Sequence, residues 1–198
     1  MYIIRQANTK DVVHLSDILT QSFYRNSESS HPRRPLHFFS LLTRHFTNWV
    51  YPLLRYGIML DLNNRFNENS PSYVCLVATH PANKSQVIAS LEICMRYIPT
   101  RSPLQCWSMH DRQEYPYIFN LAVHPQWRRR GVAKQLLLAA EDTAKQWGVT
   151  HIFMHVLEDN YAARSLYEHL GYRLHSQNGT ISHHLLGRPR RFLLNKTL

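Results

Sequence analysis

Cysteine is scarce and poorly spaced for chemistry: the 198 residues hold three, Cys75, Cys94 and Cys106. An odd number without a CxxC pair argues against a disulfide framework and a zinc site and fits a reducing compartment, here expected to be the cytoplasm. Acidic side chains are also few, 13 Asp plus Glu against 23 Lys plus Arg, for a formal net charge of +10. That imbalance points to an anionic partner, and the 13 histidines add positive charge as pH falls toward about 6. No apolar run reaches the ~20 residues that span a bilayer. The longest weakly charged stretch, residues 46–60, contains Pro52, Arg55 and Gly57 and is expected to be a buried helix, with no insertion into a membrane. The opening MYIIRQANTKD enters a strand pattern at once, so no signal or transit peptide is expected. Two phosphate signatures are missing as well, the GxxxxGK[ST] loop and the GxGxxG fingerprint.

What is present suffices for one packed domain: 44% apolar and 12% aromatic residues, which argues against intrinsic disorder. A nucleic-acid binder, a membrane-surface protein and an enzyme for phosphorylated ligands all stay open on composition.

Along the chain, residues 2–6 read as a strand, and Asn8 with Asp11 three residues later reads as a capping box. Val12, Leu15, Leu19 and Phe23 then share a helix face. Residues 25–35, rich in Ser, Pro and Arg, read as a loop. Helical material follows over 36–66 with a kink or restart at Pro52. Two β-rich runs, 72–79 and 87–97, flank the turn-like HPANKSQ and predict an antiparallel hairpin. Residues 99–114 form a long polar loop and 117–123 a central strand. A helix carrying Val132, Leu136, Ala140, Thr143 and Trp147 on one face stops at Gly148. A buried strand over 152–157 is followed by a helix that Asn160 opens and Gly171 closes. A terminal strand pair over 172–198 ends in the basic run RPRRFLLNK. No repeat or linker interrupts the chain, so residues 1–198 read as one domain of the α/β or α+β class.

The segment YIFNLAVHPQWRRRGVAKQLLLAAEDTAKQWG carries the most chemistry. A buried strand runs through a short loop into Arg128, Arg129, Arg130, Gly131, Val132 and Ala133, where a helix begins. A helix N-terminus offers unpaired N–H groups and a positive dipole end, and the small Gly131 and Ala133 let a phosphate approach. On charge alone a solvated arginine run or a non-specific nucleic-acid patch fits better. The strand before and the helix after favour a bound phosphate, best a pyrophosphate.

Here the sequence resembles the GCN5-related N-acetyltransferase (GNAT) superfamily. Its signature, Gln or Arg, two residues, Gly, one residue, then Gly or Ala, is filled by Arg128, Gly131 and Ala133. A second block, NYAARSLYEHLGY from Asn160, matches the family's Asn, Ala, Leu-Tyr and Gly-aromatic pattern. Wording such as IFNLAVHP and RRRGVA is most like the cyanobacterial and plastid branch, whose members acetylate protein N-termini and lysines. The resemblance implies a single-domain fold with a mixed, mostly antiparallel six- to seven-stranded sheet, helices on both faces and a splayed central strand pair. It implies acetyl-CoA as cosubstrate and no metal. Its pyrophosphate would be held by Arg128 to Lys134, with Lys134 included, its acetyl and pantetheine groups by the backbone of Leu121, Ala122 and Val123, and its arm by Asn160 and Ala163. It makes Tyr167 the general acid that protonates the coenzyme A thiolate. With a thiol pKa of ~8.5 and a tyrosine pKa of ~10, full transfer is uphill by roughly 2 kcal/mol.

The family pattern does not fix the base that deprotonates the amine. At pH 7 that step costs about 4.6 kcal/mol for a lysine and only about 1 for an α-amine. Glu92, in the strand VIASLEICMRYI, is the first candidate, with a solvent-facing strand residue as its alternative. Glu114, Tyr117 and His155 are further candidates, and Asn120 could hold water or substrate. Arg33, Arg34, Arg101 and Arg112 sit in the loops expected to frame the acceptor, which favours a protein or peptide amine over a polyamine. A small-molecule amine acetyltransferase and a non-catalytic basic RNA- or ribosome-associated module, motivated by RPRRFLLNK, are the alternatives. A monomer or homodimer is expected.

Overall fold

In a computed structural model, the described residues are 2–29, 37–68, 70–98, 114–178 and 190–198, with side chains described for all of these except 23–49 and 178. The element order is β1 (Ile3–Gln6), α1 (Val12–Ser29), α2 (His37–Asn67), β2 (Tyr73–Thr79), β3 (Val87–Tyr97), β4 (Glu114–Val123), α3 (Val132–Gln146), β5 (His151–Leu157), α4 (Tyr161–His169), β6 (Arg173–Asn178) and β7 (Arg191–Thr197). The seven strands form one sheet in the order β1-β2-β3-β4-β5-β7-β6. Pairing is antiparallel for β1 with β2, β5 with β7 and β6 with β7, and parallel for β4 with β5. The parallel register consists of Tyr117↔Phe153 and Ile118↔Met154 alone, as expected of a splayed central pair. The chain divides into two compact units, residues 1–71, 75–91 and 120–136 in the first and 72–74, 92–119 and 137–198 in the second.

In the first unit, the expected capping box is formed. Asn8 Oδ1 accepts from Lys10 N (3.0 Å), and Asp11 Oδ2 accepts from Asn8 N (2.8 Å). Burial alone would push the Asp11 carboxyl up, but both nitrogens of the Arg5 guanidinium, at 2.7 and 2.8 Å, together with Asn8 N–H, hold it below the usual carboxylate range. Val12, Leu15, Ile18 and Leu19 of α1 are buried. Two expectations need correction. Residues 25–29 belong to α1 rather than to a loop, because Ser and Asn oppose a helix only weakly and no Gly or Pro occurs before Pro32. Of the kink or restart expected at Pro52, the restart does not occur: α2 is one continuous 31-residue helix through it, the interior Pro costing one donor and a local clash rather than the whole ladder. Nor is the central part of α2 buried as expected: Leu53 is 71% and Tyr56 54% exposed. Apolar composition cannot show whether a neighbour covers a face. The Arg55–Asp17 ion pair ties α2 to α1, and Leu62 lies in the core. Among the described residues no helix is long and apolar enough to cross a membrane.

In the second unit, β7 pairs with β5 along its whole length, from His151↔Thr197 to Leu157↔Arg191, and with β6 on its other side. Phe192, Leu193 and Leu194 are buried, and Lys196 Nζ reaches the buried Glu141 carboxylate at 2.6 Å. The basic run RPRRFLLNK is therefore not a tail from Arg191 onward. It is an internal strand, and Lys196 is committed to an ion pair. Ile98, Tyr117, Phe153 and Leu193 form one core cluster.

Candidate active site

The arginine loop lies in the first unit. Near the end of β4, Asn120 takes a left-handed φ of 52°, which local side-chain hydrogen bonding lets Asn adopt more readily than most residues and which re-aims the strand. Leu121, Ala122 and Val123 follow. Val123 O accepts from Arg128 Nε at 3.1 Å, so the first arginine braces the loop against the strand that precedes it. After a 3-10 turn over Pro125–Trp127, the Arg130 guanidinium stacks on the Trp127 ring at 5.0 Å. Arg129 (φ 61°) and Gly131 (φ 77°) are both left-handed, a turn conformation that aims successive N–H groups into one concavity. The helical ladder opens with Gln135 N donating to Gly131 O (3.1 Å). The N–H groups of Val132, Ala133 and Lys134 thus precede the first helical bond and have no intrahelical acceptor. A Cβ on Gly131 would come within 3.9 Å of the Tyr2 hydroxyl, and φ itself disfavours any side chain there. Such a set of backbone donors, with positive charge at its rim, can cradle an anion.

The second unit holds the Asn-to-Tyr helix. Asn160 Oδ1 caps α4 by accepting from Ala163 N at 3.2 Å, which turns its amide nitrogen outward. Tyr167 is buried, its ring edge-on to Tyr172 at 6.1 Å between centroids. Burial pushes its phenol up to about 12. No hydrogen-bond partner for its hydroxyl is found among the described residues. Tyr172 is fully buried, and burial together with the Glu141 carboxylate pushes its phenol far up as well.

The base candidates separate clearly. Glu92 is buried in β3 and accepts from the Tyr73 hydroxyl at 2.8 Å, which removes the solvent-facing alternative. Glu114 is exposed at the first position of β4. The Tyr117 hydroxyl and His155 Nδ1 lie 2.7 Å apart, bridging β4 and β5. Burial, then the charges of Arg191 and Arg96, push His155 down, so the imidazole is neutral at pH 7. Burial pushes the Tyr117 phenol up. Arg96 stacks over Tyr117 and Phe119, at 5.2 and 5.5 Å.

The sequence reading thus named both members of the hydroxyl–imidazole pair but did not join them, and it missed Tyr73, Arg96 and Arg191. Strand alternation placed Glu92, Cys94 and Arg96 on one face and could have flagged the arginine. Arg33, Arg34, Arg101 and Arg112 lie outside the described residues. Among the described residues no cluster of three metal-ligating side chains occurs.

Comparisons with known proteins agree with this layout. Over 93 residues the chain is 36% identical to GCN5-related N-acetyltransferase 4, chloroplastic, of Arabidopsis thaliana, covering 46% of this chain and 31% of that protein. The chain thus spans about a third of that relative's length. Its fold matches the crystal structure of the Paia N-acetyltransferase from Thermoplasma acidophilum in complex with coenzyme A, with a TM-score of 0.65, 17% identity, and coverage of 100% of this chain and 99% of that one. It also matches Arabidopsis thaliana NAA60 in complex with a bisubstrate analogue, with a TM-score of 0.61, 17% identity, and coverage of 100% and 98%. Residues 37–172 match the Acetyltransferase (GNAT) family model. A strand, a left-handed arginine loop and helix, and a capped Asn-to-Tyr helix are the features that the family signature describes, and the chain belongs to the acetyltransferase (GNAT) family.

Proposed function

We propose that the protein transfers the acetyl group of acetyl-CoA directly to primary amines of proteins or peptides, α-amines, lysines or both, through a ternary complex. The observation that carries this reading is the 2.7 Å contact between the Tyr117 hydroxyl and His155 Nδ1, a neutral, half-buried pair able to take a proton from an ammonium. In one tautomer Nδ1–H donates to the phenol oxygen and Nε2 receives the proton. In the other the phenol donates to Nδ1 and its own oxygen receives it. Glu92, the first candidate from sequence, stays in the scheme as a second acceptor reached through Tyr73.

Acetyl-CoA, when bound, supplies the activated acetyl group. The cradle fits its pyrophosphate: left-handed Arg129 and Gly131 and the N–H groups of Val132, Ala133 and Lys134 provide donors, and Arg128 and Arg130 provide charge. Leu121, Ala122 and Val123 present backbone groups for the acetyl carbonyl and pantetheine, and Asn160 presents its amide nitrogen. Tyr167 donates toward the departing thiolate. The α-amine is the easier acceptor, at about 1 kcal/mol for deprotonation against about 4.6 for lysine. The non-catalytic nucleic-acid reading loses its main motive, since most of RPRRFLLNK is a strand in the sheet.

The test is thiol release from acetyl-CoA with peptide acceptors that offer a free α-amine, a lysine or neither. His155→Ala should lower kcat/KM at least tenfold with unchanged acetyl-CoA affinity. Release with small diamines but with no peptide would assign the small-molecule reading instead.

A further inference from the structure

We infer that Arg96 and Arg191 select acceptors that carry a carboxylate side chain close to the reacting amine, so that peptides with Asp or Glu near the acetylated nitrogen are preferred to those with Lys or Arg. The inference rests on the proposed function and adds the chemical class of its acceptor.

The face around the Tyr117–His155 pair is aromatic and bordered by positive charge. Tyr117 and Phe119 stack at 6.2 Å, Tyr115 meets Phe153 edge-on at 5.1 Å, and Phe153 meets His175 at 5.3 Å. Arg96 reaches this face from β3, its guanidinium lying over the Tyr117 and Phe119 rings. Arg191 reaches it from β7. His155 is opposite Leu193 and Leu157 is opposite Arg191, and opposed residues in an antiparallel pair share a face. Arg191 is therefore the diagonal neighbour of His155, at a Cα spacing of about 7–8 Å. Arg96 on β3 and Arg191 on β7 come from the strands flanking the β4–β5 pair that carries the hydroxyl and the imidazole, and both charges act on Tyr117 and on His155.

Glu92 lies on the same side of β3 as Arg96 by strand alternation. It is buried and bonded to Tyr73. Glu114 has the opposite parity from Tyr115 and Tyr117 on β4. Among the described residues neither Arg96 nor Arg191 takes part in an ion pair. Both side chains are exposed, and a guanidinium presents a planar fork of donors to a carboxylate. An amine delivered to His155 must bring its neighbouring residue past these guanidinium groups. A carboxylate there gains charge-assisted hydrogen bonds, and a second ammonium meets two like charges.

The experiment uses the full chain with saturating acetyl-CoA and peptides identical except for Glu, Gln or Lys at the residue next to the α-amine, read as kcat/KM from thiol release. The wild-type order should be Glu, then Gln, then Lys, with about tenfold or more between the extremes. Arg191→Glu should abolish or invert that order. Arg96→Gln should weaken it and Arg96→Lys, which keeps the charge, should restore it; the Lys variant separates the charge from the ring packing. An order that survives both Arg191→Glu and Arg96→Gln overturns the inference, as does a wild-type preference for Lys. Faster turnover of free glutamate than of the peptides overturns the peptide assignment. Turnover blind to charge defeats this inference alone, whereas acetyl-CoA binding without turnover of any peptide defeats the proposed function and the inference together.

Discussion

Replacing Tyr167 by Phe removes one oxygen and leaves the ring, which isolates the role of the hydroxyl. Burial pushes this phenol up to about 12, while a thiol titrates at ~8.5. The gap of 3.5 units makes complete proton transfer uphill by about 4.8 kcal/mol, at 1.36 kcal/mol per unit, against about 2 for an unperturbed tyrosine. Burial therefore favours a hydrogen bond that strengthens as the thiolate departs over a proton transferred in advance. Tyr167→Phe is expected to lower kcat about 100- to 10,000-fold. Acetyl-CoA affinity should stay within about threefold, since the phosphate cradle is untouched. Stability should change by less than about 1 kcal/mol, because the ring contact with Tyr172 persists and no described residue hydrogen-bonds the hydroxyl. The decisive assay is the pH dependence of kcat between pH 6 and 10.5, in wild type and variant, with affinity measured separately by calorimetry. Neither profile should show a basic limb owed to Tyr167. A limb near pH 8 to 9 present in wild type and absent in the variant would refute the reasoning, because it would place the titration far below the value that burial imposes. Equal losses in affinity and kcat would refute the assigned role.

Other outcomes follow from the same geometry. As pH falls, His155 must stay neutral to receive a proton, and its depressed pKa keeps it so until below the ordinary value of ~6.5. The acid limb of kcat/KM therefore lies below that value, and Arg191→Gln should move it to higher pH; a limb that stays or moves down would contradict this assignment. Lys196→Met strands the buried Glu141 carboxylate and should cost about 3 kcal/mol in urea unfolding, with Glu141→Gln in the same chain recovering most of it. Gly131→Ala forces a side chain onto a φ of 77°, so acetyl-CoA affinity measured by calorimetry should drop about tenfold, with roughly 1–2 kcal/mol of strain. By contrast Gly57→Ala, in a helix and with open space at its Cβ, should stabilise the fold by about 1 kcal/mol, read as a raised Tm.

Short-range signals were legible in the sequence. The Asn8–Asp11 box, the start of α3 at Val132 and the Asn160 cap depend on side chains within a few residues of the backbone groups they serve, and each is formed. Strand alternation and spacing likewise placed β2, β3 and β5 within a residue or two. Long-range choices were not legible. Leu53 and Tyr56 are exposed because no described element covers that face of α2, a fact that periodicity does not encode. Lys196 belongs to a basic run in sequence and to Glu141 in space, 55 positions away. In α3 the buried stripe is Val132, Leu136, Leu137, Ala140 and Ala144, with Thr143 and Trp147 only half-buried. At the site, Tyr117 and His155 were each visible as titratable strand residues. Their contact depends on the parallel register of β4 with β5, which two separate strand patterns cannot specify.

The position of β7 sets the order in which the second unit can be completed. Strand β6 has β7 as its neighbour in the sheet, and β7 stands between it and β5. Strands β5 and β6 both precede residues 191–197 in the chain, so their pairing with β7 waits until that segment has been made and docks. Until then β6 has no partner and β5 offers an open edge where β7 will dock, the kind of exposed strand that other chains can pair with. Arg191 arrives beside His155, and Lys196 beside Glu141, only at that closing step. The charge proposed to select the acceptor and the charge that neutralises the buried carboxylate are therefore installed together, so a chain that stalls before residue 191 lacks both.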